Sequence, residues 1–362
     1  MTTTEAAEPS TERARGRPAI RPGGRRGALA PRAFAGAVVA VTLVFLLNNH
    51  LTYWVEWPGV PVFLSHQGWF GSASLQSPLQ GGAIALGWLQ FLSYPGAIVA
   101  VIALVMLTRS RALRADAQIL SALAAYIVRA AFWAVLIVGI ADVVISFLRV
   151  EGFLEAWVGA ELTTQLGRPS YRGTYVHWPL IVVSLVVAFF VRGLGFIWLA
   201  LLVVVAEFQI VVSRFVFSYE QGFMGDLVRF WYAALFLFAS AYALIDDGHV
   251  RVDVLYAHFS QRGKAWTNAL GSALLGIPLC WVILTQGMWS RGSSLNSPLL
   301  SFEISQSGFG MYTKYMMAGF LVVFALSMTI QFAAYFLDAV ADLRGEPGHK
   351  EGHGDVGLVL HR

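Results

Sequence analysis

The sequence has very little charge and almost no cysteine for a chain of 362 residues. Asp, Glu, Lys and Arg make up 13% of it, whereas a typical soluble domain carries roughly 25% charged residues. Hydrophobic residues make up 57%, so the composition excludes an ordinary soluble protein. The single cysteine, Cys280, excludes an internal disulfide and any metal site built from several thiolates.

Histidine is missing from the interior of the long apolar runs. His50, His66, His177, His249 and His258 fall at the ends of these runs or between them, and the other histidines lie in the C-terminal tail. A haem held between helices needs histidine within the hydrocarbon layer. The chain also shows no phosphate-binding glycine loop, no Ser/His/Asp combination and no pair of acid–base carboxylates. The sequence therefore predicts no cofactor, no metal site and no enzymatic activity.

Long apolar runs are what the chain has in abundance. A transmembrane helix needs about 20 mostly apolar residues. We therefore predict an all-α integral membrane protein with about eight transmembrane helices. The weakest of them, 177–191, is short and is separated from the next only by "RGLG". The predicted spans cover residues 33–54, 82–107, 118–148, 177–191, 195–217, 227–245, 266–289 and 314–340.

The two ends of the chain differ from the apolar runs in composition. Residues 1–32 are rich in Thr, Ala, Pro, Gly and Arg and contain almost nothing to bury, so we predict a disordered basic arm. Residues 343–362 are polar and are predicted to form a disordered cytoplasmic tail.

Positive charge is concentrated in alternate connections between the predicted spans. The net charge is +4, but the basic residues lie in short segments beside apolar runs, which is typical of membrane orientation and not of nucleic-acid binding. With eight spans and a cytoplasmic N-terminus, most of the 25 Lys and Arg residues fall on the cytoplasmic side. We therefore predict a multi-pass protein with both termini cytoplasmic, membrane lipid as a partner, and no nucleic-acid partner.

Two charged residues stand out inside the predicted spans. Arg129 and Glu207 each lie about 12 residues into a helix that runs outward, so both are about 18 Å from the inner surface. An ionisable residue in a span costs roughly 2.5 to 3.5 kcal/mol on insertion scales, so each is expected to have a partner or a function. We predict a buried ion pair between them, and a proton or ion relay is the alternative.

The segment "LIDDGHVRVDVLY" alternates polar and apolar residues between two long apolar runs. Such a period of two is typical of a strand, but a strand has no place between two membrane helices. Gly248 suits a left-handed helix end, after which His249, Arg251 and Asp253 would face water while the valines between them face lipid or a partner. We predict a piece of chain lying along the cytoplasmic interface.

Three segments together resemble a known family. "GHVRVDVLY" is preceded by "AYALIDD" and followed by "SQRGKAW"; "VVSRFVF" lies before this motif and "MYTKYMMAGFLVVFALSMTIQ" after it. Their order resembles the small membrane subunit, DctQ-like, of tripartite ATP-independent periplasmic (TRAP) transporters, over about residues 195–342. The acidic pair often seen after the first helix of that family is reduced here to Glu220 and Asp226.

The resemblance implies a DctQ-like four-helix membrane domain at 193–342. The four spans before it depart from the family pattern, and we predict that they form a membrane extension at 33–192. The resemblance also implies a non-catalytic scaffold in the bacterial inner membrane. Its partners would be a large TRAP permease subunit and a periplasmic solute-binding protein, and its role would be symport of an organic acid or similar solute. A free-standing ion- or proton-conducting protein, or a subunit of a respiratory-type complex, is the alternative. The expected contact residues are Gly248, His249, Arg251, Asp253 and Lys314.

Overall fold

The structure, a computed structural model, describes residues 28–69, 78–192, 196–245, 256–305 and 310–348. These residues form helices joined by turns, without a strand among them, so the predicted all-α class is confirmed. The α-helices of the described residues are α1 Leu29–Tyr53, α2 Val60–Gln67, α3 Gly82–Leu107, α4 Leu113–Val150, α5 Leu154–Val158, α6 Ala160–Leu166, α7 Pro169–Arg172, α8 Trp178–Phe190, α9 Phe196–Phe217, α10 Gly222–Ile245, α11 Gln261–Gly271, α12 Ile277–Met288, α13 Asn296–Ser301 and α14 Lys314–Leu343.

Eight helical segments of the described residues are long and apolar enough to cross a membrane, as predicted. The weakest predicted span, 177–191, is longer than the sequence indicated, because it begins at Pro169 and ends at Phe190. The eight segments are Leu29–Tyr53, Gly82–Leu107, Leu113–Val150, Pro169–Phe190, Ile197–Phe217, Gly222–Ser240, Gln261–Met288 and Lys314–Leu343.

Two of these spans are interrupted by a π-helical turn. The turn Gly173–His177 joins α7 to α8, and the turn Ser272–Gly276 joins α11 to α12. A proline, Pro179 or Pro278, follows each turn two residues later. Because a proline ring clashes with the carbonyl four residues before it, the wider π turn lets the helix continue through the proline.

Helix α14 is the most buried of the spans and forms the centre of the bundle. It packs most extensively against α4 and also contacts α1, α10, α11 and α12. Large apolar side chains from α4, α10, α12 and α14 fill the space between these helices, among them Val135, Phe230, Phe238, Leu284 and Phe320. The core therefore includes helices from both predicted membrane units.

A second, smaller core lies where α1, α4 and α14 meet, and it is rich in alanine. Ala35, Ala117, Ala124, Ala333 and Ala341 are buried there. Small side chains let helix backbones approach closely, which is how helices associate when lipid surrounds them.

Both ends of the described chain lie at the same face of the bundle, which we call the terminal face. Near the start of α1, the Arg32 side chain is buried and its Nε lies 2.6 Å from an Asp116 carboxylate oxygen on α4. Near the start of α4, Arg114 pairs with Asp342 at the end of α14. The prediction that both termini are cytoplasmic stays a prediction.

The predicted boundary between the two membrane units, at 192/193, is not a packing boundary. Helix α4 of the extension contacts α14 and α10 of the DctQ-like unit, and α1 contacts α14. The division into two units rests on the sequence and stays a prediction.

We expect that adding one methyl group at Gly276 destabilises the bundle. A Cβ atom there would lie 2.7 Å from three atoms of the Phe332 ring on α14, so the helices would have to separate. Overpacking of this kind costs about 1 to 3 kcal/mol. Gly276→Ala should therefore lower the midpoint of thermal unfolding in detergent. Gly271→Ala is the matched control, because a Cβ there meets nothing within 4 Å; equal midpoints for the two variants would contradict this packing.

Candidate functional site

A cluster of buried polar side chains lies at the opposite end of α4 from the terminal face. Asp142 is on α4, eight residues and thus about 12 Å before the helix ends at Val150. Its carboxylate is completely buried. We call its surroundings the Asp142 cluster, which consists of Asp142, Ser146, Arg149, Arg172, His177, Tyr312 and Tyr315.

Arg172, the last residue of α7, supplies the charge that balances Asp142. Its Nη1 lies 2.9 Å from Asp142 Oδ1 and 3.1 Å from Ser146 Oγ, and both charged side chains are 0% exposed. Its Nε donates to the carbonyl of Leu166 at 3.0 Å. The guanidinium also lies over the Tyr312 ring, 4.1 Å from its centroid. Because the pair is buried, removal of one partner would leave an uncompensated charge.

His177 closes the π turn and links Asp142 to α14. Its Nε2 lies 3.0 Å from Asp142 Oδ1 and its Nδ1 lies 2.9 Å from the Tyr315 hydroxyl. The imidazole and the Tyr315 ring are stacked at 15° with centroids 5.9 Å apart. The carboxylate therefore holds the ring on one side and α14 holds it on the other.

Two carboxylates fix the backbone immediately before α14. The amide of Tyr312 donates to Asp142 Oδ2 at 2.7 Å, and the amide of Met311 donates to Asp226 Oδ2 at 3.0 Å. Asp226, on α10, also accepts from the Ser305 hydroxyl at 2.8 Å. The start of α14 is thus anchored to α4 and to α10 at the same place.

Tyr312 is enclosed by positive charge. The Arg149 guanidinium lies 4.7 Å from the ring centroid, on the same ring that Arg172 covers, and Arg149 also hydrogen-bonds the Tyr312 hydroxyl. That hydroxyl in turn donates to the carbonyl of Gly167 at 3.0 Å. The single ring therefore joins α4 and α7 to the residues before α14.

The π turn must carry glycine at its first position to let α13 approach. A Cβ atom on Gly173 would lie 2.2 Å from the Phe302 ring. Phe302 ends α13 with a left-handed backbone (φ 49°), and its ring packs edge-on against Tyr315 at 5.2 Å. The aromatic contact therefore depends on the missing side chain at residue 173.

A further link between the two units lies just outside the spans. The Tyr219 hydroxyl, in the turn between α9 and α10, donates to Glu151 at the end of α4 at 2.6 Å. Burial and the hydrogen bond to Glu151 raise the pKa of Tyr219 to about 12. The hydroxyl therefore remains a protonated donor throughout the physiological pH range.

Some of the residues predicted as sites are placed by the structure and some are not. Lys314 is the first residue of α14, and its Nζ pairs with Glu303 at 2.6 Å on the surface. The motif residues Gly248, His249, Arg251 and Asp253 lie outside the described residues.

The structure does not bring Arg129 and Glu207 together. Helix α10 packs against both α4 and α9, and no ion pair joins the two side chains in the part of the chain that is described. Arg129 is half-buried on α4, and its Nε has no hydrogen-bond partner among the described residues. The Nε1 of Trp133, one turn further along α4, also has no hydrogen-bond partner there. Glu207 is exposed on α9. The prediction compares only the depth of the two residues in the membrane. It does not consider the direction in which each side chain projects from its helix axis.

Sequence reasoning missed the Asp142 cluster, although one signal was available. Asp142 lies inside a predicted span, where any carboxylate requires a partner. Its partners Arg172 and His177 were assigned to an outer connection and a span end, because the predicted span began only at 177. An earlier start for that span would have placed three ionisable residues at one depth.

The described residues contain no group of three or more His, Cys, Asp or Glu placed to hold a metal ion. The cluster consists of ion pairs, hydrogen bonds and ring contacts between helices. What it can do chemically is hold α4, α7, the π turn and α14 in one arrangement. Fold and site together define a multi-pass helical membrane protein whose buried charges join its two halves.

The comparison with protein families identifies the second half. Residues 199–342 match the family described as Tripartite ATP-independent periplasmic transporters, DctQ component, and this part of the chain is therefore a DctQ domain. The family is that of the small permease component of TRAP transporters, which is generally non-catalytic. The predicted resemblance is confirmed. No curated protein and no solved structure matches the chain.

We expect Asp142→Asn to destabilise the protein strongly, because it leaves the Arg172 guanidinium buried and uncompensated. Breaking a buried pair in this way costs about 3 to 5 kcal/mol. The measurement is thermal unfolding of the purified chain in detergent. The double variant Asp142→Leu with Arg172→Leu should lose less stability than the sum of the two single changes.

The control for that series is Glu220→Gln, which removes the partner of Arg214 in an ion pair whose side chains are 57% and 62% exposed. An exposed pair is worth no more than about 1 kcal/mol. Strict additivity in the double variant, or an equally large loss in the control, would contradict the assignment of the cluster as a buried interhelical lock.

Proposed function

We propose that the chain is the small permease subunit of a TRAP transporter in the bacterial inner membrane. The match of residues 199–342 to the DctQ family is the observation that carries this proposal. The subunit performs no chemistry. It supports a large permease subunit in the ion-gradient-driven uptake of an organic acid or similar solute, which a periplasmic binding protein delivers.

The N-terminal extension takes part in this scaffold. The packing of α4 on α14, together with the Asp142 cluster, supports this role, because the last helix of the DctQ domain begins on contacts that α4 and α7 supply. The extension therefore determines where α14 stands. A scaffold must hold its helices rigidly to position a partner, and the buried pairs serve that purpose.

The orientation follows from the distribution of positive charge. Both termini and the segment with Gly248, His249, Arg251 and Asp253 are cytoplasmic, and these four residues form a structural contact site at that interface. The terminal face is then the cytoplasmic face. The Asp142 cluster accordingly lies toward the periplasm, on the side from which a binding protein approaches.

A free-standing channel or a respiratory-type subunit is less well supported. That alternative was built on the charges of Arg129 and Glu207 acting together inside the bundle. Since Glu207 is exposed on α9 and the two side chains are not joined, the described residues offer no such path between them.

Uptake into reconstituted vesicles tests the proposed function. The proposal predicts that genes for a large permease and a binding protein lie beside the gene for this chain. Both proteins would be purified, and the solute that the binding protein retains would be identified by native mass spectrometry and radiolabelled. We expect uptake driven by an inward sodium gradient only when this chain, the large permease and the binding protein are all present.

Vesicles that lack one component each are the matched controls, and each should show the background of empty vesicles. Uptake by this chain alone would overturn the proposal in favour of a free-standing transporter. Undiminished uptake by the other two components without this chain would equally remove its role as a required subunit.

A further inference from the structure

Helix α9 is attached to the rest of the bundle along one side only. Among the described helices it packs chiefly against α10. Leu199 and Ala206 are its buried apolar residues. The opposite side carries a row of exposed large side chains at helical spacing, Leu201, Val204, Phe208, Val211 and Phe215.

Helix α3 is equally peripheral and provides a comparison. It packs against α1 and α2, and α3 and α9 have the smallest buried share of all the spans. The exposed side chains of α3 are compatible with lipid tails, because none of them is ionisable. The large ones are Leu89, Leu92, Ile98, Val99, Ile102, Leu104, Met106 and Leu107. Exposure alone therefore does not distinguish α9 from a helix that faces lipid.

A carboxylate distinguishes the two helices. Glu207 lies ten residues from each end of the span Ile197–Phe217, so it is about 15 Å from either end, at the centre of the membrane. It is exposed and has no ion-pair or hydrogen-bond partner among the described residues. Lipid tails cannot supply a partner, and an acidic residue at this depth is strongly disfavoured without one.

The residues that the structure describes offer no cation for this carboxylate. Arg214, on the same helix, is two turns away and pairs with Glu220 at 3.4 Å. Arg129 lies on α4 and does not reach it. The donor must therefore come from outside the part of the chain that the structure describes.

We propose that the exposed side of α9 around Glu207, with Val204, Phe208 and Val211, is the docking surface for a transmembrane helix of the large permease subunit. That helix carries a cationic or hydrogen-bond-donating side chain at mid-membrane depth, and the donor meets Glu207. The inference rests on the proposed function, and it adds the surface and the chemistry of the contact.

A second copy of the chain is a poorer occupant for this surface. Most pairs of identical chains are related by a two-fold axis, so the same patch meets itself. Helix α9 against α9 near Glu207 would place two carboxylates opposite each other in the hydrocarbon layer. A partner of different sequence avoids this repulsion and can supply the missing donor.

Co-purification with the large permease tests the contact. The full chain would be expressed together with the large permease that the proposed function predicts, and isolated in mild detergent through a tag on this chain. We expect Glu207→Leu to reduce the recovered permease about tenfold or more, since loss of one partner of a buried charged contact weakens binding at least this much. Glu207→Gln should retain part of it. Gln209→Leu is the matched control, because Gln209 is exposed on α9 but projects about 200° away from Glu207.

Cysteine protection maps the surface independently. Cys280, the only cysteine in the chain, is buried, so the background of labelling is low. Val211→Cys on α9 and Val99→Cys on α3 are a matched pair, with both valines exposed. A lipid-soluble maleimide should label both in the chain alone, and only Val211→Cys should be protected when the permease is present.

The possible outcomes separate this inference from the proposed function. Recovery of the permease with unchanged yield in Glu207→Leu, or protection at Val99→Cys instead of Val211→Cys, overturns the α9 surface and leaves the function intact. Crosslinks between two copies through Val211→Cys overturn it in favour of a homodimer. If the unaltered chain recovers no permease, the proposed function itself fails. Glu207→Leu must retain the thermal stability of the unaltered chain, as expected for an exposed position.

Discussion

One buried carboxylate sets the positions of several helices. A charged group in the hydrocarbon layer is tolerated only with partners, and Asp142 obtains them from three separate elements: the guanidinium of Arg172, the imidazole of His177 and the backbone amide of Tyr312. Each partner is fully or almost fully buried, so none can be replaced by water. Because these donors lie on α7, on a π turn and just before α14, the carboxylate determines where all three stand relative to α4.

This constraint explains why α14 can be the central helix of a bundle that spans two sequence regions. At one end the residues just before α14 are held by Asp142 and Asp226, and at the other end Asp342 pairs with Arg114 of α4. Between these polar contacts the helix packs through apolar and small side chains. Around α14 stand α1, α4, α10, α11 and α12, and α3 and α9 are attached outside α1 and α10. The last helix of the DctQ domain thus depends on the extension for contacts at both of its ends.

The sequence was sufficient to predict the all-α class and the eight spans, because the length of an apolar run is a local property that must match the thickness of the bilayer. It was insufficient where direction around a helix axis matters. Arg129 and Glu207 were matched by depth alone, but the side of a helix on which a residue lies has meaning only once its neighbours are known. Arg172 falls outside the predicted span and His177 at its end, because Arg, Ser, Tyr and His lower the hydropathy of residues 168–177. Yet two of these polar side chains, Arg172 and His177, are partners of Asp142. The family resemblance could be predicted from short segments, yet its most diagnostic residues, 248–253, lie outside the described part of the chain.

The charges within the spans therefore fall into two kinds, which have different consequences. Asp142 and Arg172 are paired and buried, and they hold the chain together without requiring any other molecule. Glu207 is equally expensive to place in lipid, but it lies on the side of α9 that nothing in the described chain covers. If this position only faced lipid, an apolar residue such as those on the exposed side of α3 would be more stable there than a carboxylate. The proposed contact with the large permease subunit would supply the partner that this carboxylate lacks among the described residues.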